Sequence, residues 1–214
     1  MANFTHMNTR TKSILIVLTL LFLGLLPNAQ AVSPPPDGCY PHLTTAEGCN
    51  ALASLTTGIA NTAAGWYSLS STTDGSYNTA VGAGALDLNN ANENTAVGTG
   101  ALLLNTTGPN NTAVGAFALI NNIGGSNTAI GDRALQDNTG GNTNTATGSF
   151  ALQSNTTGEG NTANGYQALM SNTSGGYNTA IGLGALANNT ASFNTAIGLQ
   201  ALFYNTSGST NTGL

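Results

Sequence analysis

The feature that most constrains this chain is a short motif recurring at almost constant spacing. N-T-A-x-G-x-x-A-L begins at Asn61, Asn78, Asn94, Asn111, Asn127, Asn144, Asn161, Asn178 and Asn194, with Ser68 in the eighth place of the first copy. A variant, T-T-A-E-G-C-N-A-L, begins at Thr44, and a final N-T-G-L begins at Asn211. Successive starts lie 16 or 17 residues apart. A fixed period of this kind marks a repeat architecture in which each unit stacks on its neighbours.

The length of the unit decides what kind of repeat it is. Helical repeats need more than about thirty residues for two helices and their turns. A 16- or 17-residue unit with Gly in its middle has no room for them. Gly and Asn weaken helices and favour turns and left-handed backbone positions. The spacing therefore predicts an all-β parallel β-solenoid of about ten coils, each with two short strands and two turns. A looser second element fits this scheme: an Asn follows most motif leucines by three residues, as at Asn89, Asn105, Asn138, Asn155, Asn172 and Asn205. N-x-T/S strings at four of these match the glycosylation pattern, but turn chemistry explains them more simply.

Variation between copies predicts which side chains face inward. Ala in the third place, Gly in the fifth and the closing Leu are constant in the nine Asn-started copies. Leu69, Leu86, Leu102, Leu119, Leu135, Leu152, Leu169, Leu186 and Leu202 are expected to form a core ladder, with Ala and Gly beside them. The fourth place holds Val81, Val97, Val114, Ile130, Ile181 and Ile197, but also Thr147 and Asn164. That mixture suits a partly buried interface better than a sealed core. The first Asn of each unit is expected to stack into an amide ladder. Trp66, Tyr67, Phe117, Tyr166 and Phe193 fall at turn positions and are the candidate contact residues.

Only 5% of residues are charged, against roughly 25% in ordinary soluble proteins. One Leu and one Ala per coil contribute about 2–4 kcal/mol by burial, less than the ~1–2 kcal/mol per residue that ordering the backbone costs. Hydrogen bonds between coils must supply part of the difference. Association of several chains through the Val/Ile column would supply more, so a homotrimer is expected.

The first thirty-one residues read as an export signal. Arg10 and Lys12 precede an apolar run from Ile14 to Leu26, followed by Ala29-Gln30-Ala31. This is the order of a basic region, an apolar region and a small-residue cleavage site, and the run is shorter than the ~20 residues of a spanning helix. Cleavage after Ala31 would leave an N-terminal cap over 32–43, the solenoid over 44–214, and no membrane span. Export also permits a disulfide, and Cys39 and Cys49 are the only cysteines. With only His42 nearby, zinc would be under-coordinated, so a Cys39–Cys49 staple is expected.

After cleavage one Arg (Arg133) faces eight carboxylates, a net charge of −7. Phosphate recognition depends on Lys and Arg, so nucleic acid is not an expected partner. Catalysis needs convergent titratable groups, whereas Asp74, Asp87, Glu93, Asp132, Asp137 and Glu159 fall at different repeat positions. No catalytic residue, metal site or cofactor is predicted.

The unit N-T-A-V-G-x-G-A-L, as at 78–86 and 94–102, resembles the head repeats of trimeric autotransporter adhesins of the YadA type, and similar repeats occur in phage tail fibres. The resemblance spans 44–214. It implies a left-handed parallel β-roll, three chains per assembly, and attachment to extracellular protein or glycan. This unit is longer than the usual head repeat, and no coiled-coil stalk or membrane-barrel pattern accompanies it. The function expected is a secreted or cell-surface adhesin-like rod, with a purely structural fibre or spacer as the alternative. Ice binding is a weaker third reading: Thr recurs in the second place, but the next residue on the same strand face is Val or Ile, not a second Thr.

Overall fold

The structure is a computed structural model that describes residues 43–214. The described chain is a parallel β-solenoid. Eleven short strands, β1 (Thr45–Glu47), β2 (Thr62–Ala64), β3 (Thr79–Val81), β4 (Thr95–Val97), β5 (Thr112–Val114), β6 (Thr128–Ile130), β7 (Thr145–Thr147), β8 (Thr162–Asn164), β9 (Thr179–Ile181), β10 (Thr195–Ile197) and β11 (Thr212–Gly213), form one sheet in sequence order. Every neighbouring pair is parallel and in register: Thr pairs with Thr, and Ala with Ala as far as β10, where Ala196 meets Gly213. Parallel strands need a crossover of a dozen or more residues. Here the rest of each repeat is that crossover, so one repeat makes one coil.

The expected second strand is absent, and the chain turns instead. In the coil 61–77, Tyr67 and Leu69 have φ of 57° and 50°, while Gly65 stands at 140°. The same signs recur along the stack, with Leu86 at 53°, Leu119 at 52° and Leu186 at 51°. Residues of positive φ spaced two apart bend the chain sharply, while its amides still bond along the stacking direction. The bonds follow: Gly82 N–H donates to Ala64 O of the coil before (2.7 Å) and Gly84 N–H to Trp66 O (2.8 Å). Leu86 N–H then donates to Ala101 O of the coil after (3.0 Å) and Leu88 N–H to Leu103 O (3.0 Å). A left-handed Leu costs roughly 1–2 kcal/mol. Its own inter-coil hydrogen bond and its buried side chain offset that cost.

The motif Gly is not a core residue, contrary to the expectation from period-two alternation. The strand ends before it, and it is only half-buried. It is Gly because its φ, 131° at Gly98, is closed to L side chains, and because a Cβ there would sit 2.6 Å from Gly115 O in the next coil.

The core is half apolar and half amide. Leu69 to Leu186, every motif Leu between them, and the Ala residues of the third and eighth places from Ala80 to Ala185 are fully buried, whereas Leu202 in the last full coil is half-buried. Beside them run two columns of buried Asn. In the first, Asn78 N–H and Nδ2 both donate to Asn61 Oδ1 (2.9 and 3.1 Å), and Asn144 repeats this on Asn127 Oδ1 (3.0 and 3.2 Å). In the second, Asn122 Nδ2 donates to Asn105 Oδ1 (3.0 Å), Asn138 Nδ2 to Asn122 Oδ1 (2.6 Å) and Asn155 Nδ2 to Asn138 Oδ1 (2.7 Å). Each Nδ2 also reaches a turn carbonyl of its own coil, as Asn138 does at Gly141 O (2.9 Å). The second column was expected to be turn chemistry; it is core. Leu55 and Thr72 occupy its first two places. Asn172 Oδ1 is the one buried side-chain polar atom without a partner among the described residues.

The three 16-residue coils lose their residue from the turn between the two columns. The next first-column Asn then comes five positions after the second-column Asn, with four residues between, and the columns join: Asn94 Nδ2 donates to Asn89 Oδ1 (3.2 Å), Asn127 to Asn122 (3.4 Å) and Asn194 to Asn189 (3.2 Å).

Two substitutions test this account by urea unfolding. Asn138→Ala removes one of the two donors to Asn122 Oδ1 and to Gly141 O and one of the two acceptors of Asn155 Nδ2, leaving Asn127 and Gly158 as their partners, and should cost about 1–3 kcal/mol. Gly98→Ala combines a forbidden φ with a backbone clash and should cost on the order of 3 kcal/mol or more.

Candidate interaction surface

Because the strands are three residues long with a buried central Ala, their first and third residues face outward. Two columns therefore cover the sheet face, with rungs about 4.8 Å apart. The Thr column is half-buried over most of its length. The other column is more exposed: Val81 41%, Val97 37%, Val114 37%, Ile130 42%, Ile181 39% and Ile197 43%. The fourth-place residues thus form a partly exposed apolar stripe. From β2 to β11 no strand residue is charged; Glu47 in β1 is the exception. Thr147 and Asn164 interrupt the stripe on the adjacent strands β7 and β8.

The turns carry the aromatic residues. Trp66 (61%), Tyr166 (46%) and Phe193 (58%) are exposed, Tyr67 less so, and Phe117 is half-buried. Trp66 and Tyr67 meet edge to face at 4.5 Å, and Tyr166 meets Phe150 at 5.9 Å. Phe193 stacks on Tyr177 with centroids 5.4 Å apart and planes 7° from parallel. Tyr77, Tyr177 and Tyr204, also exposed, escaped the sequence reading. Tyr77 and Tyr177 directly precede the motif Asn, as Phe193 does, and that shared place is the signal that could have found them; Tyr204 lies in the looser half without an aromatic equivalent. The aromatic groups are scattered along the stack, and the structure does not gather them into one patch.

Charged groups are spread as the sequence suggested. Arg133 bonds Asp132 (3.0 Å) and lies between Phe117 and Phe150, its guanidinium 5.7 Å from each ring centroid. A cation between two rings one coil above and one below joins three coils on the surface. Tyr177 Oη donates to Glu159 Oε1 (2.9 Å). That hydrogen bond, and the nearby negative charge, raise the Tyr177 pKa above the ordinary value of 10.0. Ser70 donates to Asp87 across neighbouring coils. Among the described residues no three of His, Cys, Asp and Glu come together as metal ligands would, and no helix is long and apolar enough to cross a membrane.

Other candidates resolve more simply. Cys49 is exposed at the sixth repeat place and has no disulfide partner among the described residues. Cys39, His42, the 32–43 cap and the export segment lie outside the described residues, so the expected Cys39–Cys49 bond is not seen among them. Asn105, Asn155 and Asn172 are buried, each with Nδ2 donating two hydrogen bonds in the second column. A glycan on any of these nitrogens is incompatible with the folded coil.

Comparison of the chain with known protein families, with curated proteins and with solved structures finds no match. The surfaces themselves therefore carry the functional argument.

Replacing Glu159 with Gln removes the charge that holds the Tyr177 proton. The tyrosine titration followed by ultraviolet absorbance should then show one group moving down toward the ordinary value. The Tyr177–Glu159 contact contributes below the free tyrosine pKa and is lost as pH rises through the raised one, so the variant should differ from the parent mainly in the alkaline limb.

Proposed function

We propose that this chain is an exported, non-catalytic, adhesin-like rod that assembles as a homotrimer through its sheet face and displays its turn edges to extracellular protein or glycan. One observation carries the reading: an apolar, uncharged stripe runs along the sheet face from β3 to β10, broken only at β7 and β8. Contiguous exposed apolar surface on a soluble protein marks an interaction site. The described residues outside that face hold six carboxylates and one arginine, so the sheet is where like-charged copies can approach without facing one another's carboxylates. The YadA-type repeat supports a three-chain, left-handed arrangement. Exposed Trp and Tyr on the turns are residue types enriched where proteins bind partners.

Sedimentation of the mature chain tests the assembly. A mass of three chains is expected, and a folded monomer would refute it. Val97→Asp should weaken association at least tenfold, because like charges would meet in the interface. Circular dichroism should be nearly unchanged, since the replaced side chain is exposed. Binding to matrix proteins and glycan arrays then separates an adhesin from a spacer. Trp66→Ala should reduce capture by a ligand that the intact trimer binds; intact trimers that bind nothing would favour the spacer.

A further inference from the structure

The apolar stripe is not uniform along its length. Read from β2 to β10 it runs Ala64, three valines, Ile130, then Thr147 and Asn164, then two isoleucines. Asn164 is exposed, and its side chain shares the outward face with Thr162, itself exposed, whereas Thr179 in the next strand is half-buried. A single amide in an otherwise apolar contact face is costly wherever it meets an apolar group and satisfied where it meets another amide. An Asn amide is both donor and acceptor, so it can pair with copies of itself.

The occupant that fits this face is a second copy of the chain. Its rungs repeat at one inter-strand spacing over ten steps, and another copy has that same pitch along the whole length. Its strands from β2 onward carry no charge, which two anionic copies require. In-register parallel packing would bring Glu47 against Glu47, so the contact begins at β2.

We infer that Asn164, seconded by Thr147, fixes the register and the parallel sense of this self-association; the inference rests on the assembly proposed above. In parallel, in-register packing Asn164 meets Asn164 and Thr147 meets Thr147. A slip of one coil sets one Asn164 against Ile181. An antiparallel arrangement with β2 to β10 fully overlapped sets Asn164 against Val97 and Thr147 against Val114. The antiparallel arrangement that pairs Asn164 with Thr147 leaves β2 and β3 uncovered. Only one alignment satisfies the polar pair and covers the stripe. A lone polar residue specifying register in an apolar interface has precedent in coiled coils, at some cost in stability.

The test uses the mature chain with Cys39→Ser and Cys49→Ser. Copies carrying Val97→Cys are co-expressed with copies carrying Val114→Cys, oxidised mildly, and the linked peptides identified by mass spectrometry. With Asn164 in place, 97–97 and 114–114 bonds should exceed 97–114 bonds at least tenfold. With Asn164→Ile, the oligomeric mass should persist while 97–114 bonds rise to a comparable level. Mixed bonds with Asn164 present, or like-with-like bonds retained in Asn164→Ile, would overturn the register role while leaving the assembly standing. Monomers in both backgrounds would overturn the assembly and the register role together.

Discussion

The rest of the structure depends on the hydrogen bond between one buried asparagine and the next. A coil of this size encloses too little apolar volume to hold itself closed. Its interior is one Leu, two small Ala side chains and two amides. A buried amide left unpaired would be a liability, but the solenoid places each one against an identical group a rung away. Asn is suited to this because its side chain carries a donor and an acceptor at one end. The first column also captures the backbone, since Asn78 N–H and Asn144 N–H bond the Oδ1 of the Asn one coil earlier. Position along the stack is thus specified by directional bonds, and the leucines fill the space those bonds enclose.

The amide columns also explain the composition. Asparagine inside satisfies polar groups that a larger domain would pair in helices or broad sheets. Glycine in the fifth place lets adjacent coils approach closely, and a second glycine column, as at Gly141, makes room for the Asn138 and Asn155 amides, which a Cβ would meet at 2.5 and 2.7 Å. Charge is pushed to the turns because there is no second layer to shelter it. The sheet face is left as the one long surface without charge.

Much of the fold was legible in the sequence because the repeat is so regular. The period gave the coil, Leu at a fixed place gave the inner column, and the first Asn gave the ladder. What was not legible followed from residues with two uses. Asn89, Asn105 and their equivalents read as turn formers because Asn favours turns, and Thr72 and Leu55 at the head of that column hid its uniformity. The second strand was expected because two short strands and two turns fill a 16- or 17-residue unit, and length alone does not distinguish an extended segment from one bent by residues of positive φ. Leu69 and Tyr67 are poor candidates for positive φ by residue type, so nothing local announced it. At the surface, the fourth-place column was recognisable as mostly apolar, but its degree of exposure depends on the coil being closed by a single sheet. The turn aromatics share repeat places, such as the residue before the motif Asn at Tyr77, Tyr177 and Phe193, but each place is aromatic in only a few coils, so the signal was easily missed.

The three short coils show where this architecture tolerates a change in length. A residue removed between the two Asn columns is absorbed by the turn, and the neighbouring amides then bond each other directly. A residue removed between the first Asn and the Leu would carry one side chain of the interior out of its column and leave the rest behind. Insertions and deletions should therefore accumulate in that one turn or come as whole coils, so that the rod can lengthen or shorten by duplication while each surviving rung keeps its neighbours.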